Sequence, residues 1–228
     1  MSLVRTRALV LKSMKYSESS RIMNLFTEEL GKVAVIHKGT RRNWQSGNFG
    51  AMGLIEAMIY FRDSREIQTL GKVGYLEVYS DIEKDLEKLG ASYVVFDLLN
   101  RSLAQNDQCR ESFALAIAFL RDVNRQHATA KAELLRFLMS FGTMLGIMPD
   151  ISQDGLETFF VRIGFTLDRS EIDFMRDFLV RDADHETDTD SDTGKAAIDR
   201  ICRICEAHLL EYSNGRSNQT ARRIIDQF

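Results

Sequence analysis

The chain is short of the residues that constrain or react. A single proline, Pro149, and three cysteines, Cys109, Cys202 and Cys205, occur in 228 residues. A small, odd number of cysteines argues against a disulfide framework and fits a reducing compartment. No apolar stretch approaches the ~18 residues of a membrane span. Lys12 and Lys15 interrupt the start before the core of a signal peptide could form. A cytoplasmic protein without a membrane partner is therefore expected. The four histidines (His37, His127, His185, His208) are scattered, and neither G-x-x-x-x-G-K-[ST] nor G-x-G-x-x-G occurs. With no nucleophile–base pair and no metal constellation, the sequence offers no enzyme and calls for no cofactor.

What is present is charge, unevenly placed. Residues 1–80 hold 12 Lys and Arg against 7 Asp and Glu, whereas residues 81–228 hold 18 against 26. The whole-chain pI of about 5.9 averages over these unlike parts. A basic segment joined to an acidic one suggests a nucleic-acid groove carried on an interaction scaffold.

The basic segment alternates with the period of two of half-buried strands. Val4, Thr6, Ala8 and Val10 share one face, and Arg5, Arg7, Leu9 and Leu11 the other. Further strands are expected over Arg21–Thr27, Lys32–Lys38, Met52–Phe61 and Glu66–Tyr79. Residues 39–50, with three glycines and two asparagines, read as a loop. Five strands in this length match a small Greek-key barrel of the OB type, and an SH3-like barrel would read similarly. At Ser80 the period changes, and Ser80 with Glu83 resembles a capping box opening a helix to about Leu89. Helices are expected at 91–104, 111–126 and 129–145, so apolar that they must form a buried bundle ending at Gly146 and Pro149. Residues 156–167 read as β-like or irregular, followed by helices near 170–181, 195–212 and 218–226. The expected class is α+β. An OB-fold barrel spans 1–80, and a helical domain spans 81–228, divided into a main bundle (81–149) and a C-terminal part (150–228) with an acidic loop at 182–194.

The β-half carries the candidate chemistry. Arg41 and Arg42 lie in a glycine-containing loop beside Trp44 and Phe49, and Lys38 ends the strand before it. Cations neutralise phosphates while rings stack on bases without reading sequence. The alternative is a solvated loop whose Trp44 and Phe49 close the barrel end. Arg5, Arg7, Lys12, Lys15, Arg21, Arg62, Arg65 and Lys72 add to the positive surface. Cys202 and Cys205, with His208 beyond, look like half a zinc site, but a structural zinc needs four ligands and the spacing falls in a helix. Two small residues facing the core is the better account. Asp188, Asp190, Asp192 and Asp199 approach a calcium loop, yet Thr193 stands where the turn needs glycine. Asp97, within an apolar helix, reads as a structural hydrogen bond or ion pair to a neighbouring helix rather than an acid of shifted pKa.

Several of these pieces together resemble the RecO-type recombination mediators. Tyr16-Ser-Glu18 leads into Arg21–Thr27, then Glu28, Glu29 and Gly31-Lys32. Lys38-Gly39-Thr-Arg41-Arg42 follows, and Leu145-Gly146-Ile-Met-Pro149 closes the main helix. The resemblance covers roughly residues 1–150. It implies an OB-fold followed by a helical domain, with no catalytic site. It further implies binding of single- and double-stranded DNA, annealing of complementary strands, and loading of recombinase onto strands coated by single-strand-binding protein. The implied partners are the acidic tail of that protein and a RecR-type protein, with nucleoid association in the cytoplasm. Lys38, Arg41 and Arg42 are the DNA contacts it carries over. Arg5, Arg7, Arg21 and Trp44 join them from the residue-level reading. Arg121, Arg125, Lys131 and Arg136 are candidate contacts for the acidic tail. Many members carry two Cys-x-x-Cys pairs after the proline, forming a zinc finger. Residues 150–170 here contain no cysteine, so no metal is expected. The rival is a non-enzymatic adaptor whose barrel binds an acidic protein or peptide.

Overall fold

The computed structural model describes residues 1–38, 52–126, 129–149, 155–180 and 192–214. Five strands come first: β1 (Ser2–Ser17), β2 (Ser20–Thr27), β3 (Gly31–Lys38), β4 (Gly53–Phe61) and β5 (Ile67–Val78). They close into a barrel in the order β1-β2-β3-β5-β4. All neighbours are antiparallel except β3 and β5, which pair in parallel from Ala34–Ile67 to His37–Leu70. The alternation seen in the sequence sets the faces. Ala8, Met23, Leu25, Val35, Ile55 and Ile59 fill the interior.

The outer face is divided. Leu9 lies opposite Phe26 on β2 and Leu54 on β4, and all three are buried although they point out of the barrel. Their cover is helical. Seven helices follow the barrel among the described residues: α1 (Ser80–Glu83), α2 (Leu86–Ser102), α3 (Arg110–Val123), α4 (Ala130–Met144), α5 (Leu156–Arg162), α6 (Arg169–Val180) and α7 (Asp192–Asn214). Phe113 of α3 meets Phe26 edge-on, with ring centroids 5.3 Å apart.

The chain divides into two compact units, residues 1–126 and 127–228, so α1–α3 belong with the barrel although the change from strand to helix comes at residue 80. In the second unit α4 packs along α7. Cys202 Sγ donates to the Lys131 carbonyl at 3.3 Å, and Cys205 Sγ lies 3.7 Å from Met139 Sδ. Gly146, at φ +69°, ends α4 in the left-handed region that glycine tolerates best.

Three expectations about helices are corrected. Ser80 does not cap: Tyr79 holds the N-cap position without a side-chain bond, and Glu83 instead accepts the Met52 backbone N–H at 2.9 Å. The chain breaks at Asp85, whose carboxylate caps α2 by accepting from the N–H groups of Glu87 and Lys88. Residues 156–162 are helical, because Leu156, Phe159 and Phe160 fall at helical spacing and are all buried. The expected helix near 218–226 and residues 182–191 of the acidic loop lie outside the described residues, as do His127 and His185.

Candidate nucleic-acid interface

Ion pairing decides which cations of the β-half are available. Arg7 points outward beneath α3. Its Nε donates to Glu28 Oε2 at 2.7 Å, its Nη2 to the other carboxylate oxygen, and its guanidinium lies 6.0 Å from the Phe113 ring centroid. Arg121 of α3 makes the same two-pronged contact with Glu77 of β5, with Nε donating at 2.9 Å. Arg110 reaches Glu29 at 3.0 Å. The Arg121 and Arg110 pairs fasten α3 to the barrel, while Arg7 ties β1 to the β2–β3 turn under Phe113, so its guanidinium is already engaged by a carboxylate. Arg5 is exposed but paired with Glu56 at 2.8 Å.

The same pairs predict a pH response. Hydrogen bonding from Arg7 holds the Glu28 carboxyl below its ordinary 4.5, and hydrogen bonding from Arg121 does the same for Glu77. A depressed carboxylate contributes stability above about pH 4.5 and loses it as pH falls through the folded value. Both pairs are partly exposed, so the effect is modest. Thermal melts at descending pH should show the melting temperature falling below about pH 4.5. The double variant Arg7→Met/Arg121→Met should show a smaller fall.

The rest of the outer face is different. Cross-strand register puts Met14 opposite Ile22, and Ile22 opposite Ile36, in one outward row across β1, β2 and β3. Met14 is 47% exposed, and both isoleucines are partly so. Lys12 sits beside this row on β1, paired in register with Asn24, and Lys38 sits at its other margin, paired with Ser20. Both lysines are exposed and neither has a carboxylate partner among the described residues. Apolar side chains flanked by two unneutralised cations can take the flat faces of bases and the phosphates beside them.

Arg21 lies on the opposite side of the sheet from Lys38. It falls in one cross-strand row with Lys15 and His37, on the inward-facing side at the barrel mouth. Burial lowers the His37 pKa there. Arg41, Arg42 and Trp44 lie outside the described residues. The turn between β4 and β5, which carries exposed Arg62 and Arg65, is held by Gln68. That side chain is 1% exposed, donates to the carbonyls of Arg62 and Arg65, and accepts the Arg62 N–H at 2.9 Å. Gln68 carries no chemical signature in the sequence that would single it out. Met14, Ile22 and Ile36 escape sequence reasoning for another reason: only the register brings them together.

The four cations nominated for an acidic tail are engaged within their own units. Arg121 holds Glu77, and Arg125 lies 3.1 Å from Asp122 one turn back. Lys131 of α4 pairs with Asp199 of α7, and the Arg136 guanidinium stacks 4.1 Å from the Phe178 ring centroid. Asp97 is half-exposed and pairs with Arg101 of its own helix at 2.7 Å, not with a neighbouring helix. Cys202 and Cys205 are buried, and burial pushes the Cys205 thiol up to about 12, which keeps it protonated. Among the described residues no three His, Cys, Asp or Glu side chains gather as metal ligands. No helix among them is long and apolar enough to cross a membrane.

A barrel in this strand order, basic on one open face and buttressed by helices on another, is the architecture of an OB-type binding module. Two family models match, described as recombination protein O N terminal over residues 1–79 and recombination protein O C terminal over residues 83–158. The DNA repair protein RecO of Chlorobium luteolum is 29% identical over 151 residues, covering 65% of this chain and 57% of that protein. The RecO protein of Salinibacter ruber is 29% identical, covering 68% of this chain and 61% of its own length. That of Pelodictyon phaeoclathratiforme is 30% identical, with 65% and 58% covered. This chain belongs to the RecO family. It spans about 60% of the length of these curated relatives.

Proposed function

We propose that this protein is a recombination mediator in DNA repair that acts by binding, not by bond chemistry. In this reading it binds single- and double-stranded DNA, promotes annealing, and helps load recombinase onto strands coated by single-strand-binding protein, together with a RecR-type partner in the cytoplasm. The observation that supports it is the open outer face of β1–β3, where Lys12 and Lys38 flank the Met14–Ile22–Ile36 row and no carboxylate among the described residues neutralises them. Arg41, Arg42 and Trp44, which follow Lys38 in the sequence, are proposed as further DNA contacts. Such a surface lowers the repulsion between two phosphate backbones, so complementary strands can meet and pair.

The test is a fluorescence titration with a single-stranded oligonucleotide at several salt concentrations. If about five phosphates are neutralised, log affinity should fall against log salt with a slope near −3.5. A flat response sinks the proposal. Binding of an acidic peptide with indifference to DNA would favour the adaptor reading instead.

A further inference from the structure

On the outer side of β1, against α2, lies a cavity of about 470 Å3, within the range of pockets that hold a ring-sized ligand. The register shift between Val10 and Lys12 shapes one wall. Met52 and Gly53 form another, and the third is a single stripe of α2, Tyr93, Phe96, Asp97 and Asn100, at helical spacing.

The lining is well supplied with unused bonding capacity. Asn100 Oδ1 accepts from Asn24 Nδ2 at 2.8 Å, while the amide hydrogens of Asn100 have no partner among the described residues. Asp97 is engaged by Arg101, but a carboxylate offers about four acceptor sites. Tyr93 is 58% exposed beside the buried Phe96, so an aromatic face stands open at the cavity wall. Lys12 lies at the rim and also borders the apolar row on β1–β3.

We infer that this cavity is a nucleobase subsite that takes one unstacked base of a single strand whose phosphate is held at Lys12. The inference rests on the proposed DNA-binding reading and deepens it. Charge selects the occupant: Lys12 is the one cation among the described lining residues, so a phosphate is drawn to it and nothing else in the lining would neutralise one. What enters is a neutral ring bearing N–H donors and attached to an anionic backbone. Tyr93 supplies the stacking face, Asp97 accepts from an exocyclic amine, and Asn100 donates to a ring nitrogen or carbonyl. A paired base would first have to leave its stack, so the subsite favours single strands over duplex.

The test compares wild type, Tyr93→Ala and Tyr93→Phe as whole chains, each titrated with a cytosine oligonucleotide, an abasic backbone of equal length and a duplex. Stacking on one ring is lost in Tyr93→Ala, so its affinity for the cytosine strand should fall about 5- to 150-fold. Tyr93→Phe should keep that affinity, and all three proteins should bind the abasic backbone and the duplex alike. A 2-aminopurine base in the strand should be quenched by wild type and not by Tyr93→Ala. Matching melting temperatures verify that the variants fold. If wild type binds the cytosine strand and Tyr93→Ala binds it equally well, the subsite is overturned while the DNA-binding reading stands. If wild type binds no oligonucleotide, both fall. Protection of Tyr93 by an acidic peptide, with cytosine and abasic strands bound alike, also overturns the subsite.

Discussion

Gly31→Ala is expected to unfold the N-terminal unit, at a cost of about 3 kcal/mol or more. Gly31 sits at φ +65°, in the left-handed region, and a Cβ there would come within 1.8 Å of the Asp107 carbonyl oxygen. Neither party can retreat. The next residue, Lys32, accepts the Asn106 N–H at 2.9 Å on its carbonyl and bridges to Gln105. The buried Lys32 ammonium donates to the Asn100 carbonyl at 2.7 Å, near the end of α2. On the other side of the turn, Thr27 Oγ1 donates to the Gly31 carbonyl and accepts the Leu30 N–H. The turn between β2 and β3 is thus the point where the barrel is locked to the connection between α2 and α3. Urea denaturation should show the loss, with Gly90→Ala as the contrast. Gly90 lies inside α2, and a Cβ added there would meet nothing within 4 Å. Alanine there should be neutral or stabilising by up to about 1 kcal/mol.

The second large effect concerns binding. Lys12→Glu/Lys38→Glu should weaken single-strand affinity about tenfold or more at low salt, because two phosphate contacts become repulsions. Both side chains are exposed and have no carboxylate partner among the described residues, so the fold should survive, and an unchanged melting temperature verifies it. Arg7→Ala should behave in the opposite way. It leaves Glu28 without its partner and removes the cation beside the Phe113 ring of α3, so stability falls while the salt dependence of binding holds. The contrast separates cations that face solvent from cations that fasten a helix, a distinction the bare charge count of residues 1–80 does not make.

The period of two in the first 80 residues locates every strand of the barrel, because half-burial imposes that alternation locally. The strand order is not legible: the parallel pairing of β3 with β5 depends on residues some thirty positions apart and leaves no local mark. Arg7 shows the same limit. Its parity puts it outside the barrel, but the β1–β2 register decides that it meets Glu28, and the packing of α3, a hundred residues later, decides that it meets Phe113. Local patterns also compete. Ser80 and Glu83 match a capping box, yet Asp85 five residues on makes the real cap of α2. Asp168 and Glu171 do form a reciprocal box at the start of α6, with each side chain accepting the other's N–H at 2.9 Å. That D-x-x-E spacing is visible in the sequence. The family motifs point to Lys38, Arg41 and Arg42 as a segment. They do not indicate that Lys12, Met14, Ile22 and Ile36 complete a surface with Lys38, since that follows from cross-strand register.

The most direct measurement is the salt dependence of single-strand binding in wild type and in Lys12→Glu/Lys38→Glu, taken side by side. Two lost phosphate contacts should make the log–log slope shallower by about 1.4. An unchanged slope in a folded double variant would mean that the strand lies elsewhere, and that the open face of β1–β3 is not where this protein meets DNA.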